Sequence, residues 1–369
     1  MFLDWATTLS LIFGGCCSNA LTLEQITSQN PRLGNLITFA QFLLISLHGL
    51  PKFMTFTPYP KLKPRQIPLK AYILQVILFY VLSLLNNAAF AYKIPMTVHI
   101  IFRSGGLIVS MVMGWLVMGR TYRPAQILSV FVVTTGVVLT TLSASKPKQP
   151  GTSSAPNAYA FGIFLMSLAL ILGGFLGIIQ DKMYSKYGRQ ATAKADASGK
   201  KPTQPWEESM FYLHFLSMPL FLLMRQDLVA QVGIVNSGPR TELVLPSAFQ
   251  VLPRTSFSVF EVNHHLDATT VIFPSLYVPL ILNTVTQLFC VAGVNRLTSR
   301  ISSLGVTLTL VVRKALSLVI SIVLFGGDSR MDSQKKAQLW GGAFLVFAGT
   351  IAYSLASSKP QPKPKKKDE

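Results

Sequence analysis

The chain has 369 residues, 50% of them hydrophobic and 13% charged, and 33 Lys+Arg against 14 Asp+Glu give a formal net charge of +19. A soluble globular protein carries about a quarter charged residues, so half that share excludes an ordinary soluble domain. The apolar content excludes disorder. What remains is a membrane-embedded protein, because ten spans of about 20 residues fit comfortably into this length.

Ten apolar segments follow in chain order, at 5–23, 33–54, 69–92, 95–119, 125–144, 158–184, 206–224, 270–294, 302–327 and 337–357. Their lengths suit helices, whereas a membrane barrel would show alternating segments of about ten residues. The first segment lacks a basic leader and a small-residue cleavage site, so it reads as a retained span. Between the spans lie Pro/Lys-rich 55–68, Ser/Pro-rich 145–157, polar 185–205 and 225–269, the longest expected loop. Cys16, Cys17 and Cys290 all sit inside apolar runs, with the spacing of neither a disulfide framework nor a zinc site.

Orientation follows from where the basic residues fall. Of the 33 Lys and Arg, twenty lie in or beside the connections after even-numbered spans and in the C-terminal tail. Ten lie beside the other connections, and Arg103, Arg313 and Lys314 lie within spans. The richer side is expected to be cytosolic, which places both termini in the cytosol and 225–269 on the far side. The basic excess is thus a topology signal and carries no nucleic-acid reading.

Two stretches resemble one another across the halves. RSGGLIVSMVMGWLVMG from Arg103 is followed by AQILSVFVVTTGVVLTTLSASK from Ala125; RKALSLVISIVLFGG from Arg313 is followed by AQLWGGAFLVFAGTIAYSLASSK from Ala337. Shared apolar composition produces such likeness cheaply, but the same order and register favour a true repeat. The expected division is a first five-helix repeat at 1–144, a linker at 145–157, a second repeat at 158–357 and a basic tail at 358–369. Five spans is an odd number, so the halves insert oppositely, as in secondary transporters with a midplane site between inverted repeats.

Arg103, Arg313 and Lys314 are the informative residues, since a basic side chain at a span centre costs about 2.5–3.5 kcal/mol on the insertion scale. Lys314 lies about 12 residues, or ~18 Å, from either end of span 9, beyond the reach of a snorkelling stem. Asp4, Asp181, Glu207 and Glu208 all sit near span ends, so no carboxylate of the sequence lies deep beside these cations. A bound anion can supply the countercharge, and a phosphate suits both the fork of Arg and the point charge of Lys. Thr307, Lys314, Ser317 and Ser321 share one helical face, either lining a site or packing hydroxyls against neighbouring helices.

The other polar groups within spans are Asn86, Asn87, His99, Tyr212, His214, Asn283 and Gln287. His99 and Arg103 are spaced four apart on one face, as are Asn283 and Gln287. Amides offer donors and acceptors that suit a base such as uracil, and equally suit helix-to-helix bonding. Neither histidine has an acidic or Cys partner in sequence, so neither metal nor cofactor is expected. HExxH, GxSxG and a deep aspartate pair are absent from the spans, so no enzyme is expected. Gly14–Gly15, Gly173/Gly177 and Gly341–Gly342 allow close helix approach.

At these residues the chain resembles the nucleotide-sugar transporters of the drug/metabolite transporter superfamily, in particular the UDP-N-acetylglucosamine/UDP-xylose transporters of the UAA subfamily. The likeness rests on GCCSNALTLEQ (15–25), LNNAAFAYKIPMTVHIIFRSGGLI (85–108), EESMFYLHFLSMPLF (207–221) and SSLGVTLTLVVRKALSLVISIVLFG (302–326). It implies an all-α membrane protein of ten transmembrane helices in two inverted five-helix repeats, exchanging a cytosolic UDP-sugar for lumenal UMP. Arg313–Lys314 then match the family's phosphate-facing basic pair, and Arg103 the basic residue of the fourth helix. Phe211-Tyr212-Leu213-His214 stand where the GDP-mannose branch has Phe-Tyr-Asn-Asn; both asparagines are missing, which argues against GDP-mannose. The expected substrate set is therefore Lys314, Arg313, Arg103, His99, Asn87, Tyr212, His214, Asn283, Gln287, Thr307 and Ser317. Another nucleotide carrier, such as one for adenine nucleotides, would need a similar clamp; a non-transporting scaffold would gain nothing from it. Lys366 and Lys367, fourth and third from the end, match a dilysine ER-retrieval signal read by coat proteins, or form part of a merely solvated basic tail.

Overall fold

The computed structural model describes residues 2–57, 59–90, 105–143, 156–188, 204–246, 261–264, 268–324 and 332–358. Among them, eight helical stretches are long and apolar enough to cross a membrane, and Gly106–Met118 is a shorter apolar helix. In chain order the helices are α1 (Phe2–Ser10), α2 (Cys16–Gln29), α3 (Gly34–Phe53), α4 (Leu69–Phe90), α5 (Gly106–Met118) and α6 (Pro124–Ser143). There follow α7 (Pro156–Met183), α8 (Pro205–Ser217), α9 (Arg225–Asn236), α10 (Tyr277–Thr298), α11 (Ser303–Leu324) and α12 (Ser333–Ser358). A π turn, Leu11–Gly15, joins α1 to α2, and a 3-10 stretch, Met218–Met224, joins α8 to α9.

The chain forms two compact units, and each draws on both sequence halves. Unit 1 is Met1–Gln66 with Trp206–Arg296; unit 2 is Ile67–Pro205 with Leu297–Glu369. These units cut across the division at 145–157 that the repeat predicts.

Unit 1 contains α1 to α3 and α8 to α10. Its buried cluster of Ile26, Leu33, Leu36, Ile37, Val235, Leu276 and Leu280 ties α2, α3, α9 and the start of α10 together. The expectation of no disulfide is corrected here, because Cys16 and Cys290 are bonded across a sequence separation of 274 residues. Small residues create the approach. A Cβ at Gly15 would lie 2.8 Å from the Cys290 backbone nitrogen, and one at Gly293 2.8 Å from Leu11 Cβ. Such contact brings the two Cα atoms to 4.5 Å, inside the range a disulfide needs. Cys17 keeps its thiol. Alkylation of the denatured protein should therefore modify one cysteine before reduction and all three after it; three before reduction would remove the bond.

Two further expectations shift in unit 1. The expected loop 225–269 contains α9 and begins a three-stranded antiparallel sheet of order β3-β5-β4, with β3 Arg240–Pro246, β4 Glu261–His264 and β5 Ala268–Pro274. Span 8, expected from 270, begins instead at Tyr277. The β-branched run Thr269–Ile272 favours an extended strand, paired with Leu245 to Glu242. A short hairpin of β1 (Met54–Thr55) and β2 (Lys61–Leu62) follows α3.

Unit 2 contains α4 to α7, α11 and α12. Helices α6 and α12, the matched members of the sequence repeat, pack antiparallel. Gln126 Nε2 donates to Ser357 Oγ (2.8 Å) at one end. Midway along the pair, a Cβ on Gly136 would lie 2.6 Å from the Gly342 carbonyl oxygen. Only glycine permits that approach, which is the role small residues play between membrane helices. Of the other glycines singled out in sequence, Gly177 abuts Ser303 Oγ, whereas Gly14 and Gly341 face open space.

Candidate substrate site

Helix α11 carries the basic pair, and its start is fixed from three directions. Ser302 Oγ accepts from the Gly305 backbone N–H (3.4 Å), an N-terminal cap. Asp181 Oδ2, at the end of α7, accepts from the Ser303 N–H (3.2 Å) and from Arg120 Nη2 (2.8 Å). A carboxylate at a helix N-terminus also meets the positive end of the macrodipole. Beside it, burial pushes the Tyr122 phenol above its usual pKa while the Arg120 cation pulls it partly back, so the hydroxyl stays protonated. Eleven residues into α11, Arg313 is half-buried and Lys314 is exposed, followed by buried Ala315. Thr307 Oγ1 lies 3.4 Å from Ser110 Oγ of α5 and donates to the Ser303 carbonyl (2.9 Å). That bonding is of the helix-packing kind, one of the two uses the sequence leaves open for Thr307.

The side chains expected to read the base fall in unit 1, and most are engaged there. Asn283 is fully buried on α10. Its Nδ2 donates to the Asn19 carbonyl (3.0 Å) and Thr22 Oγ1 (3.0 Å), and its Oδ1 accepts from Gln41 Nε2 (2.7 Å). One amide thus joins α2, α3 and α10. His214 is buried on α8, its Nδ1 donating to the Met210 carbonyl (2.6 Å) and its ring 4.5 Å from that of Phe42. Tyr212 lies beneath the Arg65 guanidinium (5.8 Å to the ring centre) and beside Phe53 and Phe211. Gln287 is half-buried. His99 and Arg103 lie outside the described residues, as do Lys366 and Lys367 and the side chains of Asn87 and Ser317.

Sequence reasoning missed the polar partners at the helix ends. Besides Arg120–Asp181, ion pairs join Arg296 to Asp4 and Lys52 to Glu207, both in unit 1. Glu208 carboxylate oxygens accept from the Gln66 N–H (3.0 and 3.1 Å). All three ion pairs sit at connections assigned to the Lys/Arg-rich side, and the signal was present in sequence: each acid stands near a span end. They tie helix ends together within each unit.

Long apolar helices with caps and ion pairs at their ends define a multi-pass membrane protein. The chain belongs to the UAA transporter family, which it matches over residues 4–357. It is a transporter, not an enzyme, as are that family and its relatives. It is 33% identical to the UDP-N-acetylglucosamine transporter of Saccharomyces cerevisiae, over 95% of this chain and 94% of that one. It is 32% identical to the UDP-xylose and UDP-N-acetylglucosamine transporter of Danio rerio, over 95% and 94%. It is 34% identical to the endoplasmic reticulum GDP-fucose transporter of Drosophila melanogaster, over 93% and 88%. A protein of known crystal structure superposes with a TM-score of 0.56 over 97% of this chain and 98% of its own, at 12% identity, which speaks to the fold alone.

Proposed function

We propose that the chain is a nucleotide-sugar antiporter of ten transmembrane helices in two inverted repeats. It carries UDP-N-acetylglucosamine, with UDP-xylose as a second substrate, from the cytosol into the ER or Golgi lumen in exchange for UMP. The observation that carries this reading is the Arg313–Lys314 pair in the middle of α11, a helix whose start is fixed by Ser302 and Asp181. A guanidinium and an ammonium on one rigid helix suit a diphosphate, the part that UDP-sugars share. The antiparallel α6–α12 pair supports the inverted repeat.

The relatives' names support a UDP-sugar, but identity alone does not choose the base, because the GDP-fucose transporter is as similar. A GDP-sugar is therefore the second reading. Thermal stabilisation by UMP, GMP and AMP at equal concentration separates the two: UMP should raise the midpoint most, and a larger shift with GMP would favour the second reading.

The tail carries the location. With a cytosolic C-terminus, Lys366 and Lys367 form a retrieval signal for a coat-protein partner, and changing both to serine should move the protein from the ER toward the Golgi. Unchanged ER residence would remove the retrieval role and leave the transport reading intact.

A further inference from the structure

A cavity of about 410 Å³ lies within unit 1, between α3 and the helical run that ends in α9. That volume falls in the range of small-molecule sites, roughly 300–1,000 Å³. One wall is a stripe spaced by three and four residues: Phe221, Leu222, Arg225, Leu228, Val229 and Val232. The other wall is Leu36 and Phe39 of α3. Every lining group is apolar except Arg225, which is exposed. Leu222 and Val229 are 71% and 72% exposed on either side of it.

Depth in the bilayer decides what such a groove takes. From Pro205 to Met224 the chain runs 13 α-helical and seven 3-10 residues. At about 1.5 and 2.0 Å per residue that is roughly 33 Å, one hydrocarbon thickness. Arg225 then stands at the bilayer surface, where α3 begins. Helix α9 is fastened there across the amino end of α3: Gln231 Oε1 accepts from the Leu36 N–H (2.8 Å), and Asp227 Oδ2 accepts from Asn35 Nδ2 (2.6 Å). Asp227 also accepts from Gln231 Nε2 (2.6 Å), so the nearby carboxylate is engaged with α3 and its own helix. The stripe is left open, with a cation at headgroup depth and apolar walls around it.

We propose that this groove binds one acyl chain of an anionic phospholipid, with Arg225 on the phosphate. The chemistry is that of an amphipathic interfacial helix, in which buried methylenes and attraction to an anionic headgroup both contribute. The site is independent of the nucleotide-binding reading, since no residue of the basic pair takes part.

The test adds dimyristoyl phosphatidylglycerol to detergent-purified protein and follows its thermal midpoint. Glycerol 3-phosphate and an uncharged monoacylglycerol serve as headgroup and chain alone. The intact phospholipid should stabilise more than either piece, with apparent affinity falling about tenfold in Arg225→Gln, the size of a lost charge-assisted bond. In Val229→Glu the shift should disappear. A photoactivatable acyl chain on the same headgroup should crosslink to 218–232 or to Leu36 and Phe39, a readout that holds even where a variant folds poorly. Equal lipid shifts in wild type and both variants would overturn the proposal. So would crosslinks confined elsewhere, or a dimer of this chain that seals the groove and dissociates in Val229→Glu.

Discussion

Replacing Lys314 with alanine is expected to abolish nucleotide-sugar exchange while leaving a protein that inserts and folds. Lys314 is exposed in mid-α11, so its truncation opens no cavity in the packed helix faces. Removing a cation from mid-span relieves about 2.5–3.5 kcal/mol of insertion cost. It also removes a charge-assisted contact to substrate of about 1.5–3 kcal/mol, or roughly 10- to 150-fold in affinity. The upward shift in thermal midpoint given by added UMP or UDP-sugar should therefore shrink. Lys314→Arg keeps charge without geometry and should recover only part of the exchange. A destabilised apo protein with an undiminished UMP shift would make Lys314 a structural residue.

Asn283→Ala has the opposite signature. The buried amide makes three hydrogen bonds across α2, α3 and α10, each worth about 0.6 kcal/mol on average between membrane helices. The loss should be about 2 kcal/mol of stability, with the ranking of uridine over guanosine nucleotides unchanged. Because Gln41 shares the interaction, the Gln41→Ala/Asn283→Ala double change should cost less than the sum of the two. A changed ranking with full apo stability would instead return Asn283 to base recognition.

The two uses open to Asn283 mark where the sequence was legible. Apolar runs of about twenty residues mark spans because a bilayer demands that length, and α3, α6, α7 and α12 lie within a few residues of their expected places. The pair Arg313–Lys314 was visible because charge in such a run is costly. The alternative uses of Asn283, helix bonding or base reading, could not be separated in sequence, since both need the same amide. The Cys16–Cys290 bond joins residues 274 apart and depends on the close crossing at Gly15 and Gly293, which no local pattern encodes. The strands within 240–274 were hidden because the β-branched, apolar end of that stretch reads equally as the start of a span. Its extended pairing depends on partner strands on both sides, β4 nearby and β3 more than twenty residues away.

The most direct test of the account is counterflow in liposomes reconstituted with the purified protein. Vesicles preloaded with UMP should accumulate external labelled UDP-N-acetylglucosamine, empty vesicles should accumulate little, and Lys314→Ala vesicles should match protein-free ones. Uptake of equal rate and extent with and without internal UMP would contradict obligatory exchange, and no uptake of any UDP-sugar in preloaded vesicles would contradict the assigned substrate.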